Sequence, residues 1–569
     1  MAADKEKPGG AGTQPGGGGL AMGGKPHDQT HDTTDARGAQ APNFADLDFA
    51  ALAGQAIVTP GNGSGPRDQA PAQLEDTPTA QHDPDKPEHY TDLGNAYRLV
   101  RVHGQDLRHV TGWGWVSWDG QRWQRDDKAP MLWAKAIALG FYDDAKDLHD
   151  QEQAHLEAAK RSATAGDTAA EAIAHERIKE LKAKETATVS WARASQARGK
   201  LEAAVKLAES ERAVSAEIDQ FDADPWLLNC ANGILDLRSG ILRPHNRGDM
   251  FTALAPAAYD PAATCPTWDA FLARIMRDSA ELTSFLQRVI GYSLTGSVRE
   301  QVLFFLYGSG ANGKSTFLNT ILAMLGRDYA KQAAPDVLIE SSGRHPTELA
   351  DLAGVRFVAS IEVSEGKRLA EALVKQLTGG DPVKARLMRQ DFFQFDPAFK
   401  ILLAANHKPV VKGTDFAIWR RIKLIPFTVT IPDAEQDKTL GDKLLAELPG
   451  ILAWAVRGCL AWQRDGLGIP AEVIDATAAY RAESDELAPF LEECCNLGDK
   501  LQAQAGPLFE SYKDWAGANG IAERDRLTRV KFGRQLEERG FDKYKDPSTR
   551  LTVYYGLELA PKPIASTRE

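Results

Sequence analysis

Large apolar side chains are scarce and aperiodic through the first 88 residues, where Gly, Ala, Pro, Gln, Asp and Thr dominate and GGAGTQPGGGG stands near the start. Burial cannot offset the entropy of ordering such a segment, so residues 1–88 are expected to be a disordered tail. Within it, residues 44–58 (FADLDFAALAGQAIV) carry the spacing of an amphipathic helix that docks on a partner, although an unstructured segment is the stronger expectation. From Tyr90 the pattern turns globular. Residues 111–124 (TGWGWVSWDGQRWQ) alternate aromatic with small or polar positions around an Asp-Gly turn, which predicts a hairpin. Its tryptophans at 113, 115, 118 and 123 make either a base-stacking platform or a small core, and packing is the expectation. Residues 131–215 read as long helices whose polar, Ala/Glu/Lys-rich middle lacks Pro, predicting a helical hairpin or short coiled coil. That insertion is either a solvated spacer or a partner-binding arm. Residues 231–245 (ANGILDLRSGILRPH) return to strands and turns, and 265–295 are helical again.

A second block is built on short apolar runs that end in chemistry. VLFFLY runs into GSGANGKST and then an amphipathic helix, VRFVASIE ends in Glu362, KILLAAN ends in Asn406, and IKLIPF follows Arg420 and Arg421. Between them VKARLMRQDFFQF alternates as a hairpin. The C-terminal segment reads helix, helix, then a two-stranded wing, a pattern that looks like a winged-helix module. Between Glu523 and Arg550 it holds nine Lys/Arg against six Asp/Glu, so DNA binding and protein docking both remain open for it.

The length of 569 residues implies three or four units. We divide it into a tail (1–88), a mainly helical domain with its inserted hairpin (89–264), a core that carries the GSGANGKST loop (265–470), a helical linker with winged helix (471–560) and a short tail (561–569). The net charge of −12 argues against a uniformly basic coat protein but leaves local nucleic-acid surfaces open. None of the five cysteines forms a CxxC pair, so no zinc site is expected, and the adjacent Cys494 and Cys495 are assigned to helix packing. No apolar run reaches 18 residues and no secretory signal opens the chain. The expectation is a cytoplasmic protein with reduced thiols and no membrane contact.

The candidate chemistry begins at residues 308–316. In GxxxxGKS after a strand and before a helix, glycines let backbone N–H groups approach phosphate oxygens, and the helix turns its N-terminal dipole toward the anion. Gly308, Ser309, Gly310, Ala311, Asn312, Gly313, Lys314, Ser315 and Thr316 are therefore assigned to ATP, with Lys314 on the β and γ phosphates and Ser315 on Mg²⁺. Lys314 is expected to face solvent across the loop. Glu362 is placed to hold the Mg²⁺ shell and polarise water, while Glu365 either shares that task or caps a helix. Asn406 either senses the γ phosphate or makes structural hydrogen bonds. One of Arg420 and Arg421 reaches a neighbouring subunit's phosphate while the other makes a structural ion pair. Lys384, Arg386 and Arg389 either grip single-stranded DNA from a pore hairpin or lie on a solvated edge.

GSGANGKST, SIEVSEG, LVKQLTGGD, ARLMRQDFF, LLAANHKP and WRRIKLIPF together resemble the phage and plasmid primase family of superfamily 3 helicases, also related to replication NTPases of large DNA viruses. TDLGNAYRLV, DPWLLNCANGILDLRSG and GYSLTG extend the resemblance to about residues 90–560. It implies a multidomain α/β protein with an AAA+-like P-loop core, acting as a homo-hexameric ring on single-stranded DNA, usually 3′ to 5′. It also implies Glu362 as the acid of the second nucleotide motif, Asn406 as sensor and Arg420 or Arg421 as finger. Val363 departs from the pattern, because related helicases often carry a second acid there. Residues before Tyr90 are too few and too polar for the primase-polymerase that many relatives carry, so a separate primase or polymerase is the expected partner. The rival readings are an origin initiator switched by ATP and a protein-remodelling AAA+ ATPase.

Overall fold

A computed structural model describes residues 90–340, 347–361, 366–387, 391–411 and 416–561. The expected tail and its candidate helix at 44–58 lie outside the described residues. The chain is a mixed α/β, multidomain protein.

Helix α1 (Asp92–His103) starts at Thr91, whose hydroxyl accepts from Gly94 N–H at 3.0 Å. β1 (Leu107–Val110), β2 (Gly114–Trp118) and β3 (Trp123–Arg125) form an antiparallel meander. After α2 (Ala129–Ala165), α3 (Thr168–Ser195) and α4 (Arg198–Ala208), the short strand β4 (Ser215–Ala216) joins parallel to β1. The two long helices make the hairpin that the periodicity predicts. Gly166 ends α2 in the left-handed region, and Asp167 caps α3 by accepting from Ala170 N–H at 3.0 Å. Trp115 and Trp123 are buried, while Trp113 and Trp118 pack half-buried beside them. A three-stranded antiparallel sheet follows, β5 (Leu227–Cys230), β6 (Gly233–Asp236) and β7 (Ile241–Arg243). Helices dominate this part, as expected, and strands of three to five residues occupy the expected hairpin at 111–124 and the turn-rich stretch at 231–245.

Next come α5 (Pro266–Ile275), α6 (Ala280–Leu294), β8 (Leu303–Tyr307), α7 (Lys314–Tyr329), β9 (Ala330–Ala333), α8 (Thr347–Ala350) and β10 (Phe357–Ile361). They are followed by α9 (Glu371–Gly379), β11 (Val383–Arg386), β12 (Phe392–Phe395), β13 (Lys400–Ala405), α10 (Phe416–Trp419) and β14 (Ile422–Pro426). The sheet order is β14-β8-β13-β10-β9, with every pairing parallel. A parallel sheet is covered on both faces, so its strands read as continuous apolar runs. Alternate residues go to different cores. Phe304 and Leu306 join one apolar cluster, whereas Leu303 and Phe305 join the other. Arg356, buried just before β10, donates to the Leu294 and Leu227 carbonyls at 2.8 Å each, tying this sheet to β5.

α11 (Leu440–Ala446), α12 (Leu448–Asp465) and α13 (Ala471–Glu483) pack back on the sheet layer. Among the described residues no single helix is long and apolar enough to cross a membrane. The last unit runs α14 (Ala488–Cys494), β15 (Cys495–Gln504), α15 (Ala505–Ala518), α16 (Arg529–Glu538), β16 (Lys543–Lys545) and β17 (Thr552–Leu559). Its sheet order is β15-β17-β16, and its own core includes Phe490, Tyr512, Phe532 and Leu557. β15 adds a third strand to the expected two. Its residues are mostly exposed and polar, so pairing with β17, not an apolar pattern, makes it a strand. Cys494 and Cys495 straddle the end of α14 and the start of this strand, so their packing is not purely helical.

Candidate functional site

Residues 308–313 turn the chain from β8 into α7, and close approach selects two of their glycines. A Cβ on Gly308 would lie 2.2 Å from the Phe427 carbonyl oxygen, and one on Gly313 would lie 2.7 Å from Ile275. Gly313 also has φ of 84° at the N-cap of α7. Asn312 Nδ2 donates to the Phe427 carbonyl at 3.3 Å and Ile431 N–H to the Ala311 carbonyl at 2.7 Å, which pins the loop from behind. α7 begins with no side-chain cap. The first N–H groups of such a helix have no intrahelical partner, and its N-terminal dipole favours an anion.

Lys314 lies under the loop and is buried, 6% exposed, which corrects the expectation of a solvent-facing side chain. Three oxygens converge on its ammonium and draw it inward: Nζ donates to the Gly308 carbonyl at 2.7 Å and to Asn312 Oδ1 and Asn406 Oδ1 at 3.0 Å each. All three acceptors are neutral, so burial pulls the Lys314 pKa down to about 8. Asn406 reaches it because β13 pairs with β8 in the register Ala405 to Tyr307, which sets Asn406 beside Gly308. A cavity of ≈ 310 Å³ is lined by residues 310–316 together with Ile361, Ala404, Ala405 and Asn406. Ser315 and Thr316 line it from the first turn of α7. Glu362, the residue after Ile361, lies outside the described residues, as do Glu365 and Arg389.

A second cavity of ≈ 440 Å³ shares Ala311, Gly313 and Thr316 with the first. Phe271, Ile431 and Leu440 give it apolar walls, and Arg274 and Glu435, paired at 2.7 Å, border it. The sequence offered no signal for this wall, because α5 and the 431–440 segment meet the loop only through the fold.

The structure keeps Arg420 and Arg421 away from these cavities and gives them different surroundings. Both precede β14, whose Ile422 pairs with Leu303 at the start of β8, whereas the loop leaves the far end of that strand. The offset is roughly 17 Å at about 3.3 Å per residue. Arg421 is buried; its Nε donates to Thr378 Oγ1 at 3.2 Å and its Nη1 to the Ala417 carbonyl at 2.7 Å. Arg420 is exposed and donates to Gln301 Oε1 at 3.0 Å.

Lys384 and Arg386 lie on the antiparallel β11–β12 hairpin, where Val383 and Ala385 face the core. The register places Lys384 opposite Gln394 and Arg386 opposite Phe392. Phe392 was not anticipated: it is 51% exposed, with both cations about its ring, Lys384 at 5.0 Å and Arg386 at 4.9 Å. The alternation of FFQF held the signal, since Phe393 and Phe395 pack on the core and leave Phe392 on the outer face.

Residues 96–277 match the family model described as D5 N terminal like, and residues 306–421 match a family of unknown function. A provisionally named helicase of Acanthamoeba polyphaga mimivirus is 27% identical over 324 residues, 52% of this chain and 34% of that protein. A provisionally named primase of African swine fever virus is 21% identical over 214 residues, 36% of this chain and 22% of that protein. The chain thus spans at most about a third of these curated relatives. Among solved structures, the apo NrS-1 C-terminal region is similar with a TM-score of 0.38 and 12% identity, over 61% of this chain and 86% of that one.

Proposed function

The chain belongs to the D5-type primase–helicase family, and we propose that it is an ATP-driven replicative DNA helicase of the superfamily 3 type, working as a homo-hexameric ring on single-stranded DNA. The observation that carries this reading is Lys314. Among the described residues its acceptors are all neutral, and it sits, buried, at the uncapped start of a helix. A polyphosphate offers a counter-charge that none of the described residues supplies. The two contiguous cavities suit a nucleotide, phosphates over residues 310–316 and the nucleoside against Phe271 and Ile431.

In this reading the five-stranded sheet is an AAA+-like P-loop core. Residues 308–316 wrap the phosphates, and Lys314 turns from Asn406 toward the β and γ oxygens. Asn406 is then free to orient water or sense the γ phosphate. Ser315 and Glu362 would hold Mg²⁺, which when bound neutralises charge on the phosphates. Arg420, exposed at the opposite strand ends, suits a finger that reaches the next subunit, while Arg421 is structural. The β11–β12 hairpin grips the strand through Lys384, Arg386 and Arg389, with Phe392 as a stacking surface. The α14-β15-α15-α16-β16-β17 order with the β15-β17-β16 sheet supports a winged helix.

The deciding experiment measures ATP hydrolysis with and without single-stranded DNA, together with displacement of an annealed strand. Turnover that rises several-fold with DNA and drives displacement is expected, and Lys314→Ala should abolish both. Nucleotide binding without turnover would favour an ATP-switched initiator, and turnover raised by unfolded protein but not DNA a remodelling ATPase. Either result overturns the proposal.

A further inference from the structure

The outward face of α16 breaks the rules that govern an ordinary solvated helix. Its first turn contains no acid and instead presents Arg529 and Lys531, both exposed, where the helix dipole repels cations. Between them Val530 is 82% exposed, the most exposed of the large hydrophobic side chains described. Phe532, Gly533, Gln535 and Leu536 are buried, so the opposite side of the helix supplies all its packing. The hairpin that follows adds Lys543, Lys545 and Arg550, all exposed, and is held to α16 by the Lys543–Glu537 ion pair. The acids of α16, Glu537 and Glu538, lie in its last turn, where Glu537 pairs with Lys543 and Glu538 with Arg534. Arg529, Lys531 and Lys545 have no acidic partner among the described residues. Such unfavourable local choices, with no gain inside the fold, mark a functional surface.

We propose that α16 and the β16–β17 hairpin form a duplex-DNA-binding surface, separate from the single-strand grip proposed for β11–β12, with Val530 facing base edges in the major groove. The cations flanking Val530 match the phosphates on either side of the groove, so charge complementarity names the partner. Duplex DNA fits better than duplex RNA, because the major groove of B-form DNA admits a helix and that of A-form RNA does not. An isolated apolar side chain among cations has a specific counterpart there, the thymine methyl group. The surface is built from residues outside both cavities. It goes beyond the motor reading and places sequence preference in a module that needs no hydrolysis.

The test uses the full chain and a labelled blunt duplex with no single-stranded ends, first drawn from a random-sequence pool by repeated selection on the protein. The combined Arg529→Ala, Lys531→Ala and Lys545→Ala variant should bind the selected duplex at least about tenfold more weakly. Its logarithmic salt dependence should flatten by roughly 0.9 for each phosphate that is no longer neutralised. These three side chains are exposed, so unfolding is not expected, and an unchanged melting temperature checks it. The Lys384→Ala, Arg386→Ala variant should retain duplex binding. Val530→Ser should keep non-selected duplex binding and lose preference at one base-pair position. Duplex affinity and salt slope equal to the parent in the triple variant would overturn the surface and leave the module to protein docking. A selected sequence unchanged by Val530→Ser would overturn the base reading. Neither readout uses ATP, so loss of the motor proposal and loss of this one are distinguishable.

Discussion

At the residue scale, the burial of Lys314 makes its protonation measurable. Its pKa is lowered to about 8, so between there and the ordinary lysine value the unfolded chain holds a proton that the folded chain has released. Stability from this group therefore rises as pH climbs through that window, and it is lost as pH falls through about 8. A bound polyphosphate favours the charged form and restores the proton. Nucleotide affinity should accordingly be flat below about pH 8 and weaken above it, by up to roughly tenfold per pH unit. Lys314→Met should remove that bend. A dissociation constant for the parent that stays constant across the window would place the ammonium away from the nucleotide. The tandem arginines separate by a different measurement. Arg421→Ala leaves Thr378 and the Ala417 carbonyl short of a buried donor, a cost of about 1–3 kcal/mol, and should lower the melting temperature. Arg420→Ala removes an exposed side chain and should shift stability by no more than ~0.5 kcal/mol. Equal melting temperatures for the two variants would contradict this division of roles.

At the element scale, the β11–β12 hairpin joins charge and an aromatic surface on one face. Neutralising Lys384 and Arg386 should weaken single-stranded DNA binding for all sequences alike and reduce its logarithmic salt slope by roughly 0.7 for each phosphate left without its cation. Phe392→Ala should behave differently, losing about 1–3 kcal/mol of binding with the salt slope preserved, because stacking releases no counterions. Oligonucleotide titrations at several salt concentrations check both. A slope that falls with Phe392→Ala would mean that the ring acts by positioning the cations. Basal ATP hydrolysis should survive in each variant, since none of the hairpin's described residues lines either cavity.

At the scale of the whole molecule, the parallel sheet separates the phosphate loop from Arg420 by the length of its strands. The loop and arginine of one chain then cannot meet, and the proposed ring would bring those of adjacent chains together. Arg420→Ala subunits should assemble and fail to hydrolyse ATP, and mixing them with Lys314→Ala subunits should recover part of the turnover. No recovery at any mixing ratio would rule out a finger acting between subunits. Light scattering with and without nucleotide gives the assembly state independently.

Much of the candidate site was legible in the residues themselves. GSGANGKST carries its own instructions, since backbone freedom at Gly313, an amine two residues past Asn312 and a helix start are all local properties. The apolar runs around residues 303, 357, 401 and 422 likewise announced buried strands, because continuous hydrophobicity over five or six residues suits a strand covered on both faces. What a side chain touches depends on neighbours distant in sequence. Only strand register set Asn406 against Lys314, 92 residues away, and only packing against Thr378 buried Arg421 and left Arg420 in solvent. β15 became a strand by pairing with β17, and the second cavity opened where α5 met the loop. The sequence by itself determined most of the strands, loops and helices, β15 excepted, and which atoms can do chemistry. Tertiary structure decided which of those atoms meet, because burial, register and countercharge arise from elements that the chain brings together only by folding.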